Sequence, residues 1–149
     1  MRTTLLTLTL LALSADSCLA GKKVIAPPEF SGNNSLPFSP GILVDGTLYI
    51  SGQIGTDLKT RTIPQEFEAE VKTCLDNIGI ILKAAGMTYD DVVAVQVYLT
   101  DMTLFPRMNA VYSSVFKEPR PSRTTVGVAG LAAANAHVEI TMTARKGKR

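Results

Sequence analysis

The chain holds one histidine and two cysteines among 149 residues, and these shortages remove whole classes of protein. Two cysteines, Cys18 and Cys74, cannot staple a disulfide-rich scaffold. No Cys/His pair has zinc-ligand spacing, so no metal site is expected. No apolar run approaches the roughly 20 residues needed to span a bilayer, so no membrane span is expected. Charge is nearly balanced at +2, and the basic cluster Arg145, Lys146, Lys148, Arg149 reads as a solvated tail. No nucleic-acid partner is therefore expected. Repeats and low-complexity tracts are lacking too, and the length suits one domain.

The first twenty residues differ from the rest. Arg2 precedes an apolar and hydroxyl stretch, Leu5 to Leu13, and Cys18, Leu19 and Ala20 then form a small-x-small end. That order is the pattern of a secretory signal, with cleavage after Ala20 and export to the periplasm or medium. Lipid attachment at Cys18 is the less favoured alternative, because Ala15 stands where a lipoprotein signal carries leucine. The expected division is a signal at 1–20 and one folded domain at 21–149. Removing the signal leaves Cys74 alone, at a position in a helical apolar pattern that suits a small core residue.

Residues 21–39, with Pro27, Pro28 and Pro37, read as an irregular lead-in. A hairpin follows, Gly41 to Val44 and Thr47 to Ser51, turning on Asp45-Gly46, a pair suited to a type I′ turn. Gly52 and Gly55 then allow close approach to the backbone. A helix is expected from about Pro64 to Ala85, capped by Thr62 with Gln65. Its face is Phe67, Val71, Cys74, Leu75, Ile78, Ile81, Leu82, and its left-handed stop is Gly86. Thr88 with Asp91 caps a short turn before a strand over Val92 to Leu99, in which Val93, Val95, Val97 and Leu99 alternate as the apolar set. A second helix spans about Leu104 to Phe116, with Tyr112 in its buried stripe. Strands over Arg123 to Val128 and His137 to Ala144 finish the chain. The order ββαβαββ predicts an α+β domain, a single mixed sheet with two helices on one face.

In the last two strands, alternation assigns Thr124, Val126 and Val128 to the core side and turns Arg123, Thr125 and Gly127 the other way. Val138, Ile140, Met142 and Ala144 likewise alternate with His137, Glu139, Thr141 and Thr143. Arg123 and Glu139 are thus expected on the open face of neighbouring strands. Spacing leaves two readings open: an ordinary cross-strand ion pair, or an arginine that clamps a carboxylate beside a carboxylate base. His137, on the face of Glu139, reads as a packed or interface residue.

The residues then match a family in order. Leu48-Tyr49-Ile50-Ser51-Gly52-Gln53, Leu75-Asp76-Asn77-Ile78, Val97-Tyr98-Leu99-Thr100-Asp101-Met102, Asn109-Ala110-Val111-Tyr112, Pro121-Ser122-Arg123-Thr124-Thr125-Val126 and Val138-Glu139-Ile140 resemble the RidA (YjgF) family from about Ser35 to Ala144. The resemblance implies a chorismate-mutase-like fold and a homotrimer with sites in the clefts between subunits. It implies hydrolysis of 2-imino or enamine acids, such as 2-iminobutanoate and 2-iminopropanoate, to 2-oxo acids and ammonia, without a cofactor. Carried over by motif, Arg123 would hold the substrate carboxylate and Glu139 would orient or deprotonate water. Ser51, Gly52, Asn109, Thr125 and Phe38 would line the substrate. Two positions depart: Phe38 stands where the family usually has tyrosine, and Thr125 where it often has cysteine. A small-ligand-binding or interaction module on the same scaffold is the alternative. RNA cleavage, attributed to some members, finds no basic groove or histidine pair here.

Overall fold

Backbone hydrogen bonding follows the hydrophobic period closely enough that most elements fall where the pattern places them. The computed structural model describes residues 21–30 and 37–147. The signal-sequence expectation, with Cys18 and cleavage after Ala20, lies outside the described residues. Among the described residues six strands form one sheet: β1 (Lys23–Ile25), β2 (Gly41–Val44), β3 (Thr47–Ile54), β4 (Val92–Leu99), β5 (Ser122–Gly127) and β6 (Val138–Arg145). Their order is β1-β2-β3-β6-β4-β5, antiparallel except for the β4–β5 pair. Two helices, α1 (Phe67–Ala84) and α2 (Phe105–Val115), cross between strands. The fold is α+β, a mixed sheet with two helices, as expected.

Asp45 and Gly46 both take positive φ, 49° and 72°, which the tight hairpin turn requires. Gly86 stops α1 at φ 69°. Thr88 and Asp91 form the reciprocal capping box. One face of α1 is sealed against the sheet: Val71, Cys74, Leu75, Ile78, Ile81 and Leu82 are each at most 1% exposed. Burial of each aliphatic side chain contributes about 1.5–3 kcal/mol, so this face anchors the layer. Cys74 is part of that core, its Sγ donating to Gln53 O at 3.0 Å, and burial pushes its thiol pKa far up.

Several boundaries differ from the pattern. Residues 23–25, read as lead-in, pair with β2 as an edge strand. Three residues are too few to show a period, so neighbouring backbone decides the state. Helix α1 starts at Phe67, its N-cap is Glu66 without a side-chain cap, and the Thr62–Gln65 box does not form. Helix α2 starts at Phe105 after a short 3-10 turn, Met102–Leu104, which Asp101 caps through Thr103 N at 2.8 Å. In β4 the register shifts between Val92 and Ala94, so Val92 is buried and Val93 is 48% exposed. The expected alternation at Val93 fails there because a bulge moves the side chain out of phase.

The largest correction concerns β5. Arg123 pairs in register with Val95 and Thr125 with Val97, both on the buried, helix-covered side of β4. Arg123 and Thr125 therefore face the helices, and Val126, 41% exposed, faces the open side. β6 behaves as expected, with Val138, Ile140 and Met142 buried and Glu139 on the open face. Because β4 lies between β5 and β6, Arg123 and Glu139 are neither on neighbouring strands nor on one face. The reason is that β5 is an edge strand. Its helix-side positions lie beneath the end of α2, where a guanidinium can sit on aromatic rings and still reach water.

Candidate functional site

The expected site residues fall into two groups on opposite faces of the sheet. On the helix side, the prolines Pro119 and Pro121 and the edge strand β5 bring Arg123 under α2. Its guanidinium carbon lies 4.5 Å from the Tyr112 ring centroid and 5.7 Å from that of Phe105. A flat cation stacked this way keeps its N–H edges free for an anion. Among the described residues, no carboxylate pairs with Arg123. Asn109, Tyr112, Ser113, Arg120 and Pro121 complete a cleft of about 390 Å³ around it. Thr125 lies two residues on along the same side, its Oγ1 buried and without a partner among the described residues.

On the open face, β3 bulges between Ile50 and Gln53, which places Ser51 and Gly52 out of the regular ladder. The Ser51 hydroxyl donates to Ser39 O at 2.7 Å and fixes the turn that carries Phe38. Gln53 Nε2 donates back to Ser51 O at 3.0 Å. Glu139 fills the space that a side chain at position 52 would need: a Cβ there would overlap its Oε1. Phe38, Ser51, Gly52, Ile54, Ala132 and Glu139 line a cavity of about 310 Å³. A second hollow of about 390 Å³ lies on the other side of Glu139, against Tyr98, Gly130 and Leu131. The cradle for Glu139 is thus built by a glycine at a bulge.

Arg123 and Asn109 share one cleft, with Thr125 farther along the same side, whereas Glu139, Gly52, Ser51 and Phe38 share another on the opposite face. The Arg123–Glu139 meeting expected from adjacent strands does not occur within one chain. Chemically, the first cleft suits an anionic group, and the second holds a carboxylate beside open space that water can enter.

Three residues of note escaped the sequence pattern. Tyr112, read as core, is buried yet lines the Arg123 cleft, with its hydroxyl unpartnered. Arg120 joins Arg123 in that cleft. Glu70 is fully buried, its Oε1 accepting from His137 N at 2.7 Å and Val138 N at 3.2 Å, its Oε2 from His137 Nδ1 at 2.8 Å. A charged residue inside the apolar stripe between Phe67 and Cys74 was the available signal for Glu70.

The profile of the family described as Endoribonuclease L-PSP matches residues 32–146. The chain belongs to this family. A RutC family protein of Sulfurisphaera tokodaii is 41% identical over 112 residues, covering 74% of this chain and 89% of the relative. A Bos taurus protein named 2-iminobutanoate/2-iminopropanoate deaminase is 43% identical over 96 residues, covering 64% of this chain and 70% of the relative. The crystal structure of RidA from an Antarctic Psychrobacter superposes with a TM-score of 0.77 at 32% identity, covering 83% of this chain and 100% of that one. The RidA resemblance read from the motifs is therefore correct at the level of family and fold. Among the described residues no helix is long and apolar enough to cross a membrane, and no cluster of three or more acidic, histidine or cysteine residues could hold a metal ion.

Proposed function

We propose that the chain is a hydrolytic deaminase of small 2-imino acids, acting in a homotrimer whose sites form where one subunit's Arg123 cleft faces the next subunit's Glu139. The observation that carries this reading is the split itself. A substrate of a few heavy atoms cannot touch both a guanidinium and a carboxylate held on opposite faces of one sheet. Two copies can supply one group each, and the open face is suited to being covered, since Tyr49 and Val126 are 53% and 41% exposed there. The activity named for the bovine relative supports the reaction class.

In that arrangement Arg123 holds the substrate carboxylate by paired charge-assisted bonds, worth on the order of 1.5–3 kcal/mol each when shielded. Asn109 and the backbone beside Thr125 orient the imine. Glu139 takes a proton from water as the water oxygen adds to C2 and returns it to the nitrogen; the carbinol hydroxyl proton then passes to the nitrogen as the C–N bond breaks, so ammonia leaves and the 2-oxo acid remains. Positioning an already electrophilic carbon is most of the task, and a general base contributes about 10²–10⁴-fold. Phe38 supplies a wall without the hydroxyl usual at its position. Generating 2-iminobutanoate in situ with a dehydratase and timing its loss tests the proposal. A decay rate identical with and without the protein rules the activity out and leaves the binding-module reading.

Gly52 gives a sharper test. In Gly52→Ala the three atoms nearest the new methyl all belong to the flexible Glu139 side chain, so the fold should survive while the carboxylate swings aside. We expect kcat for imine hydrolysis to fall by about 10²-fold with little change in KM. A fall in KM-dependent binding alone, with kcat intact, would detach Glu139 from the chemistry.

The reading includes export, supported by Arg2, the apolar Leu5 to Leu13 stretch and the small residues ending at Ala20. Protein recovered from outside the cytoplasm should begin at Gly21. An intact Met1 in that fraction would exclude cleavage.

A further inference from the structure

The cleft around Arg123 carries more positive charge than one carboxylate requires. Arg120 and Arg123 line the same hollow of about 390 Å³, and among the described residues no acidic side chain lines it. At the rim, Arg120 pairs through Nη1 with Glu118, and its Nε donates to Phe116 O at 3.4 Å. Glu118 and Arg120 are 72% and 48% exposed in that pair. An ion pair so open to water contributes about 0–1 kcal/mol, so it is readily exchanged for a better-shielded anion. Three of the five guanidinium N–H groups of Arg120 are left for a ligand.

An independent observation lies at the floor of the hollow. Tyr112 is 3% exposed, and its hydroxyl is buried with no hydrogen-bond partner among the described residues. Unsatisfied buried hydroxyls are uncommon, and leaving one costs about 1–3 kcal/mol, which a bound acceptor would recover. The Arg123 guanidinium lies 4.5 Å from the Tyr112 ring centroid and Arg120 lines the same hollow; burial raises the Tyr112 pKa, and the two positive charges oppose that rise. The phenol is then a neutral donor in a cleft that two guanidinium groups also line. Asn109 and Ser113 add uncharged polar groups at the wall.

We propose that this cleft selects dicarboxylic 2-imino acids, with Arg123 holding the carboxylate next to the imine carbon and Arg120, with the Tyr112 hydroxyl, holding the second one. The inference rests on the imine-hydrolase reading and names its substrate class. The reaction balances as before: water adds to C2, the C–N bond breaks, and a 2-oxo diacid and ammonia leave. A monocarboxylic imino acid satisfies Arg123 alone and leaves the Tyr112 hydroxyl and Arg120 unused. Arg120 is thus a specificity-determining residue, outside the bond-breaking steps.

Titrating the full chain with 2-oxoglutarate and 2-oxobutanoate, the diacid and monoacid products, reads the selectivity without turnover. The diacid should bind about tenfold tighter or more, the scale of one shielded charge-assisted contact. Arg120→Ala should lower the diacid-to-monoacid affinity ratio by about tenfold, and Tyr112→Phe should lower it in the same direction. The ratio of kcat/KM values for imines made in situ from a dicarboxylic and a monocarboxylic amino acid by an amino-acid oxidase should shift with it. Hydrolysis of 2-iminobutanoate with equal affinity for the two oxo acids overturns the diacid site and leaves the hydrolase reading intact. Selective diacid binding without hydrolysis of either imine removes the hydrolase reading and upholds the diacid site. An Arg120→Ala ratio equal to that of the wild type overturns the role of Arg120.

Discussion

Two inactive variants, Arg123→Ala and Glu139→Gln, should restore one another's activity when their subunits are mixed. Each alone is expected to lose about 10²–10⁴-fold in kcat/KM for 2-iminobutanoate, the first through lost positioning and the second through the lost base. Within one chain the two side chains lie on opposite faces, separated by β4, so no intramolecular site joins them. In a cyclic trimer each site takes Arg123 from one subunit and Glu139 from its neighbour. A trimer containing both variants then has one junction where the intact arginine meets the intact carboxylate. Random reassortment of equal amounts gives mixed trimers in about three quarters of assemblies, each with one working site in three. Recovered activity should therefore plateau near a quarter of the wild-type value. The measurement is imine decay after co-refolding or co-expression, with light scattering to report the assembly size. Zero recovery in confirmed mixed trimers would sink the shared site, because a site that takes both groups from one chain gives none.

The expectation that fails here is instructive about what a sequence carries. Asp45-Gly46, Gly86 and the Thr88–Asp91 box are local devices, whose geometry is decided by residues within a turn of one another. They were legible for that reason. So were the α1 stripe and the β6 alternation, since both elements are long and covered on one side only. The facing of Arg123 was not legible. Val126 is apolar and exposed and Arg123 polar and half-buried, which inverts the usual rule. Only the pairing with β4 and the aromatic platform of Phe105 and Tyr112 explain it, and both partners are distant in sequence. The identities of Arg123, Glu139, Gly52 and Asn109 as candidates came from motif resemblance. Their division between two faces came from tertiary structure. Arg120 was passed over because an arginine between two prolines carries no period.

Replacing Glu70 should cost more stability than any other single polar change among the residues discussed. Its carboxylate is fully buried and ties the first turn of α1 to the start of β6 through two backbone N–H groups and the His137 ring. A carboxylate only accepts, so Nδ1 carries the hydrogen in this pair, and His137 also lines the cavity formed by Arg61, Thr62 and Asn135. Gly55 is needed beside it, because a Cβ there would overlap the Glu70 backbone. Glu70→Ala leaves the His137 and Val138 N–H groups buried without acceptors and opens a void. The expected loss is about 3–5 kcal/mol, read as a large drop in the denaturant midpoint. Glu70→Gln keeps an acceptor oxygen for the backbone and should lose less than half as much. His137→Ala removes only the half-exposed ring and should cost about 1 kcal/mol, since the backbone bonds stay. Hydrogen exchange gives the local reading: Glu70→Ala should deprotect the amides of His137 and Val138 before the rest of β6. Two residues further on stands Glu139, so the same loosening should lower kcat for imine hydrolysis at temperatures well below unfolding. If Glu70→Ala unfolds at the wild-type denaturant midpoint, the buried carboxylate is not what fixes the start of that strand.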